Sequence, residues 1–414
     1  MSDSNEALGP NGEPRIVVTG IGLVTPVGTG REQVWGNLLA GVSGITKVES
    51  FDTSRHSVDI GGEIKGFEPE PWFRNLDPSQ VGRASQLAIC AARQAVDEAG
   101  VEGAGLAPER IGVAMGTTSG EPGLVEQFDD RWLDGELPHV GGEFMGLYPC
   151  HVIAAHVASE FGFGGVNTML PAACAAGNYA VGFALDALRG GRADLMLAGG
   201  ADAFSRITYT GFARLGAIAP EKCQPFDRDR RGMVPGEAAA ILVLERLADA
   251  RARGARIWAE VGGYGLSCDA HHMTAAHPEG DGAARAMKEA LRHAGLDADD
   301  VSYVSAHGTG TPTNDRLETK AFRQVFGDRD LPISSIKSMI GHTMGAASAI
   351  ESAVCSMAVA EDRVPPTINF TEPDPDCDLD CVPNEARDVD VQVAMNNAYA
   401  FGGNNASVIF QKIA

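Results

Sequence analysis

The stretch from Gly165 to Gly200, GVNTMLPAACAAGNYAVGFALDALRGGRADLMLAGG, constrains this chain more than any other. A short extended segment and Pro171 lead into Cys174, and the alanine-rich run from Ala175 to Leu188 reads as a buried helix. Cys174 therefore falls on a strand-to-helix turn. A thiol there meets the unpaired N–H groups and the positive end of the helix dipole, which lower its pKa and prepare a nucleophile. The competing reading is a small apolar residue among alanines, because free cysteine is commonly buried and inert. Residues far downstream decide between the two.

Around this stretch the chain alternates strand and helix patterns. A β-branched strand opens at Ile16 and runs toward Gly28, and helical apolar spacing follows over Arg31–Ala40 and Ser85–Ala99. Gly20 and Gly22 invite a dinucleotide-binding reading, but the third glycine of that fingerprint is missing and no acidic residue is suitably placed about 20 residues on. A strand leads into a glycine turn between Arg110 and Gly123, and Glu121–Pro149 reads as a long irregular, aromatic-rich loop of the kind that forms a lid, substrate wall or subunit contact. Strands are expected at Asp194–Ala198 and Ala238–Glu245, and a helix at Leu247–Arg253. Beyond Ile257 come strands at Trp258–Tyr264, Val301–Ser305, Leu331–Ser334, Val391–Asn396 and Ala406–Gln411, with helices at Gly282–Ala294, Asn314–Phe326 and Gly345–Ala360. Such alternation implies parallel sheets covered by helices. The halves also echo each other: each has a strand, a polar turn and a small-residue helix (Asn167–Leu188; Ile333–Ala360), then a strand and a diglycine turn (Gly199, Gly200; Gly402, Gly403).

At 414 residues the chain exceeds what one core usually serves, so two fused halves are expected: a loose tail over residues 1–14, then 15–255 and 256–414. With 33 basic against 55 acidic residues the net charge is -22, which makes nucleic acid and anionic membrane poor partners. An acidic partner such as a carrier protein would need a local basic patch; Arg228, Arg230 and Arg231, with Asp229 between them, form the densest charged cluster, although a solvated face is its plainer reading. The eight cysteines are scattered, without zinc-ribbon or redox spacing, and reduced thiols in the cytoplasm are the natural inference. His271, His272 and His277 lie near Cys268, but their spacing fits no common zinc pattern. The N-terminus lacks the layout of a signal peptide, and no apolar run is long enough to span a bilayer.

Three stretches in the second half are rich in residues that do chemistry: SAHGTGTPTND with His307, SSIKSMIGHTMGAASAIE with Lys337, His342 and Glu351, and NNAYAFGGNNAS with Phe401 and a diglycine between two strands. Together with the Cys174 turn, these motifs resemble, in order and spacing, the β-ketoacyl synthases, the condensing enzymes of fatty acid and polyketide assembly. The resemblance spans essentially the whole chain, from VVTGIG to the last strand. It implies a thiolase-like α/β fold of two similar halves in five layers (αβαβα), normally dimerised through the first half.

The same resemblance implies roles. Cys174 would hold an acyl chain as a thioester. His307 and His342 would aim imidazole N–H groups at the thioester carbonyl of malonyl carrier protein as it loses carbon dioxide. Backbone N–H groups of Cys174 and Phe401 would form the oxyanion hole, with Phe401 also gating. Lys337 with Glu351, Asp315 and Glu318 would be a buried network that fixes the histidines, for which a structural ion-pair network is the alternative. Thr309, Thr311 and Thr274 would hydrogen-bond the phosphopantetheine arm. No cofactor of its own is implied: the acyl and malonyl thioesters arrive on acyl carrier protein, and the biological unit would be a homodimer or a heterodimer with a chain-length-factor-like subunit.

Two departures bear on substrate. PAACAAGN lacks the small hydroxyl residue usual beside the nucleophile, and AFGGNN stands where GFGGTN is common, so Ala400 and Asn404 are unusual. SSIKSMIGH, NDRLET and PDPDCDLDCVP look closer to type II polyketide ketosynthases than to the housekeeping fatty acid enzyme. Among rivals, a silent chain-length partner characteristically lacks the cysteine, a degradative thiolase would carry a second cysteine near the C-terminus, and starter-unit acyltransferases commonly have Asn where His342 stands.

Overall fold

A computed structural model describes residues 7–9, 12–136 and 142–413. Strand β1 (Ile16–Thr25) is followed by α1 (Arg31–Leu39), α2 (Arg83–Ala99), β2 (Ile111–Gly116), α3 (Pro122–Leu133), α4 (Gly142–Leu147), α5 (Val152–Phe161), β3 (Asn167–Leu170), α6 (Ala176–Arg189), β4 (Leu195–Asp202), α7 (Arg206–Arg214), β5 (Ala238–Arg246) and α8 (Leu247–Ala252). The second half contributes β6 (Ala259–Cys268), α9 (Asp281–Ala294), β7 (Tyr303–Ser305), α10 (Pro312–Phe326), β8 (Ile333–Ser334), α11 (Lys337–Ile340), α12 (Ala347–Glu361), β9 (Val393–Tyr399) and β10 (Asn404–Gln411).

The strands run in the order β3-β2-β4-β5-β1 and then β6-β10-β9-β7-β8, the two sets joined where Ile16–Val18 pairs with Ala259–Val261. Counted within its own half, each set has the order third, second, fourth, fifth, first. In each, the second strand is parallel to both its neighbours, and the last two junctions are antiparallel. The echo heard in the sequence is thus a repeated topology. Helices α2 and α5 pack on one face of the first set, α9 and α10 lie against the second, and α6 and α12 are sandwiched between them, which makes five layers of thiolase-like type.

Small residues make the middle layer possible. Every residue of α12 from Ala347 to Val359 is buried. A Cβ added at Gly177 would lie 2.4 Å from the backbone nitrogen of Ala349, so α6 and α12 cross backbone against backbone. Gly20 and Gly22 act likewise: they sit inside the unbroken β1, and a Cβ at either would strike the backbone of α2, at Ala95 and Ala91. They serve close packing rather than a phosphate loop. Gly199 and Gly200 lie within β4, which corrects the expected turn there; a Cβ at Gly199 would come 1.9 Å from the Ala240 carbonyl oxygen of the neighbouring strand.

The expected irregular loop over Glu121–Pro149 is instead largely helical, through α3 and α4, with residues 137–141 outside the described residues. Aromatic contacts hold it: Phe128 meets Phe144 at 4.8 Å and Phe144 stacks on Tyr148 at 4.9 Å between ring centroids. Within the expected N-terminal tail, Leu8 bridges to Pro14 and Glu13 reaches Arg189 at 3.2 Å, while residues 1–6, 10 and 11 lie outside the described residues. No helix among the described residues is long and apolar enough to cross a membrane.

Candidate active site

Cys174 sits in a single 3-10 turn, Ala173–Ala175, that leads straight into α6. Ala173 has φ of 49°, a left-handed conformation that an alanine adopts only under constraint, and it turns the chain sharply between strand and helix. The thiol is 8% exposed. Burial pushes it up to about 12, with the Lys337 ammonium pulling the other way and Asp202 and Glu351 adding to the rise. The expected lowering by the helix start is therefore overridden: desolvation outweighs a dipole whose effect is worth at most about 2 kcal/mol.

His307 follows β7 and opens the turn toward α10. Glu318 of α10 lies beneath it and accepts the backbone N–H groups of His307 at 2.8 Å and Gly308 at 2.7 Å. Burial nonetheless raises this carboxyl to about 8 against those bonds. His342 follows α11, and its Nδ1 accepts the N–H of Met344 at 3.2 Å, so in the neutral ring Nε2 carries the proton. The two imidazoles meet edge to face, 5.5 Å between centroids and 85° between planes. Both are held well below the ordinary imidazole value, first by burial and then by the Lys337 charge. They are neutral hydrogen-bonding groups rather than cations. Lys337 forms a buried ion pair with Glu351 of α12, whose carboxyl burial raises to about 7.

One cavity of about 280 Å³ brings Cys174, His307, His342, Phe401, Thr309, Thr311 and Thr274 together. The hydroxyls of Thr309 and Thr311 bond each other at 2.9 Å, and Thr274 hydrogen-bonds His272 on the rim. Phe401 stands at the mouth, 44% exposed, 6.0 Å from the ring of Phe212. Its glycine turn is gripped from the side: Gly402 N–H donates to the Met273 carbonyl at 2.8 Å and Asp269 N–H to that of Gly403 at 2.9 Å.

Not every expected residue joins this group. Asp315 is fully buried and does not line the cavity: it accepts the Gly310 N–H of the His307 turn at 3.2 Å and the Phe226 N–H at 2.8 Å, beside Arg230. Arg230 is itself buried and paired with Asp374, and Arg228 lies within 3.4 Å of Glu372, so the 228–231 cluster is largely neutralised within the fold. Among the described residues no group of three or more His, Cys, Asp or Glu is arranged to hold a metal; His271 and His277 merely pack edge to face at 5.4 Å. Conversely, Phe212, Met233 and Tyr399 line the cavity without having been singled out. Tyr399 lay inside the quoted NNAYAFGG motif and could have been read there, whereas Phe212 and Met233 arrive from segments with no chemical signature.

Comparison with known proteins agrees with this geometry. Residues 13–250 match the β-ketoacyl synthase N-terminal domain and residues 258–371 the β-ketoacyl synthase C-terminal domain. The 3-oxoacyl-[acyl-carrier-protein] synthase 2 of Synechocystis is 39% identical over 96% of this chain and 98% of its own length, and that of Staphylococcus aureus strain N315 is 39% identical over the same shares. Among solved structures, the ishigamide ketosynthase/chain length factor superposes with a TM-score of 0.94 at 42% identity, covering 97% of this chain and 100% of that one. A type II polyketide ketosynthase, solved in the complex AntDE:AntF with its acyl carrier protein, reaches 0.90 at 32% identity over 97% of this chain and 100% of its own. By its full-length likeness and by the cavity that its cysteine and histidines share, the chain belongs to the β-ketoacyl synthase family.

Proposed function

We propose that the protein is a ketosynthase of a type II assembly system, joining a Cys174-bound acyl chain to a malonyl unit, both delivered on acyl carrier protein. The observation that carries this reading is the cavity shared by a buried thiol and two neutral imidazoles. In the first half-reaction the Cys174 sulfur attacks the acyl thioester, the carbonyl–sulfur bond to pantetheine breaks, and the thiol proton ends on the departing pantetheine sulfur. A net proton acceptor is not required, so a thiol at about 12 can still be loaded. In the second, the malonyl unit loses carbon dioxide and leaves an enolate. Its carbon attacks the Cys174 thioester, a carbon–carbon bond forms, and the released sulfur takes up a proton. The His342 Nε2–H and an N–H of His307 donate to the enolate oxygen; because both rings are neutral, they donate without protonating its carbon. The Cys174 and Phe401 amides would serve the acyl carbonyl in the same way, and Thr309, Thr311 and Thr274 the pantetheine arm.

A basic hollow supports carrier-protein docking close to the cavity mouth. Arg55, His56, Arg206 and Arg214 line a depression of about 580 Å³, and α7, which carries two of these arginines, also presents Phe212 to Phe401. Asp52 shares this lining and Arg206 pairs with Asp130, so Arg55 and Arg214 are the cations that the hollow offers an acidic carrier on a chain of net charge -22. A second chain of the same fold is also part of the reading. Among the described residues β3 pairs only with β2, leaving its other edge open, and on α3 and α4 Leu133, Met145 and Trp132 are 80%, 61% and 48% exposed. The likeness to a ketosynthase paired with a chain length factor, and to a type II polyketide ketosynthase, favours a specialised pathway.

The deciding experiment is intact-mass spectrometry of the protein with acyl carrier proteins of graded chain length, then with malonyl carrier protein. Acyl mass on the wild type but not on Cys174→Ala, followed by an extended β-ketoacyl carrier, is expected. Acylation without extension, in the protein alone, assigns the missing step to a partner subunit. No acylation from any donor removes the elongating reading.

A further inference from the structure

The internal duplication has produced a second elbow, and an acid residue fills it. Met344, Gly345 and Ala346 form a 3-10 turn ahead of α12, as Ala173, Cys174 and Ala175 do ahead of α6. Met344 has φ of 55° where Ala173 has 49°. Gly345 is therefore the counterpart of the nucleophile in the other half, and its N–H points at a carboxylate, Asp202 Oδ2, at 2.7 Å. Asp202, at the end of β4, is fully buried and also accepts the Thr117 hydroxyl at 2.9 Å, the Thr118 N–H at 2.9 Å and the Ser119 N–H at 2.9 Å. One side chain thus ties the loop after β2, in the first half, to the turn that follows His342, in the second.

We propose that Asp202 is a positioning residue: through Gly345 it holds the His342 turn against the Cys174 elbow. The mechanical link is short. Met344 and Gly345 are adjacent, and one N–H donates to His342 Nδ1 while the next donates to Asp202, so the carboxylate anchors the amide pair that orients the ring. The fit admits no side chain at position 345, where a Cβ would lie 2.8 Å from Asp202 Oδ2 and 2.7 Å from the Thr117 backbone. The Asp202 charge also adds to the rise of the Cys174 thiol, against Lys337. Burial raises Asp202 to about 6 against four hydrogen-bond donors, so it is ionised at neutral pH. The other titratable groups bearing on the pair are Glu121, on the loop after β2, and Lys337 and Glu351 from α11 and α12.

The inference rests on the ketosynthase reading only for its elongation assay, and the full-length chain with two variants tests it. Nitrogen NMR of the His342 ring, which reports which ring nitrogen carries the proton, needs no substrate. Asp202→Asn sets an NH2 donor among the N–H and O–H groups that now converge on the carboxylate, and should lose the single Nε2–H signature of His342. Asp202→Glu displaces the carboxylate from Gly345; acyl loading should stay within about threefold, and elongation should fall about tenfold or more. An unchanged His342 signature in Asp202→Asn overturns the proposal, as does a parallel loss of loading and elongation in Asp202→Glu, which is what a merely structural role produces. If Asp202→Asn does not fold, Asp202→Glu decides by itself. A wild type that neither loads nor extends would defeat the ketosynthase reading instead, and the His342 spectrum would still judge Asp202.

Discussion

At Cys174 two effects of comparable reach oppose each other, and burial wins: the thiol is raised to about 12 despite its place at a helix start and the nearby ammonium. The enzyme therefore rests as a thiol, and its imidazoles rest neutral. Because both histidines are lowered, their unprotonated form persists in the fold below the unperturbed value of about 6.5. The acid limb of elongation should accordingly lie below pH 6.5, as a kcat/KM profile on malonyl carrier protein will tell; a limb at 6.5 or above would contradict the assignment. The same shifts bear on stability with a definite sign. The contribution of a lowered group is present above the unfolded pKa and lost as pH falls through the folded one, so these rings weaken the fold in acid. His342→Ala should leave acyl loading of Cys174 intact and lose elongation by about 100-fold or more, the scale of a removed oxyanion donor. Glu318→Gln sets an NH2 donor where two backbone N–H groups now converge, and should cost about 1–3 kcal/mol in a denaturant titration.

Among elements, the crossing of α6 and α12 governs how closely the half with Cys174 approaches the half with His307 and His342. Gly177, the second residue of α6 and three positions past Cys174, faces Ala349 in α12 without room for a methyl group. Gly177→Ala should destabilise by about 1–3 kcal/mol through overpacking, whereas Gly123→Ala in α3, where nothing lies within 4 Å of the added carbon, should be neutral or stabilise slightly. Equal effects of the two substitutions on the urea midpoint would argue against a tight crossing. The strand and helix alternation was legible from apolar periodicity along most of the chain. What escaped were the helices of residues 122–147: Leu124, Phe128 and Trp132 do recur at helical spacing in α3, but α4 is only six residues long, and the aromatics pack on one another rather than on the main core.

In the whole molecule, two copies of one topology share a middle layer, and the site forms where their elbows face each other. The open edge of β3 and the apolar surface of α3 and α4 lie on the first half, away from the basic hollow's arginines only by the span of α3 and α7, which the Arg206–Asp130 pair links at 3.0 Å. The protein expressed alone should sediment as a dimer, and Leu133→Glu should shift it toward monomer while leaving the melting of the monomer unchanged. A monomer at micromolar concentration, with elongation restored by a related second chain, would instead establish the heterodimeric form.

The sequence by itself determined the local pieces of the site: a cysteine on a strand-to-helix turn, two histidines on glycine-rich turns and a lysine before the second of them, since each depends on neighbours within a few residues. It also carried the duplication, in the repeated order of strand, turn and small-residue helix. Only the tertiary structure decided the sign of the Cys174 shift, because desolvation depends on what covers the thiol and not on what precedes it. It likewise brought Phe212 to the cavity mouth, set Asp315 beside Arg230, paired Arg228 and Arg230 with Glu372 and Asp374, and set Asp202 across the two halves. Those outcomes join residues more than 140 positions apart, as in the Gly345–Asp202 and Arg230–Asp374 pairs, and charge, burial and hydrogen bonding act through space, where no spacing along the chain records them.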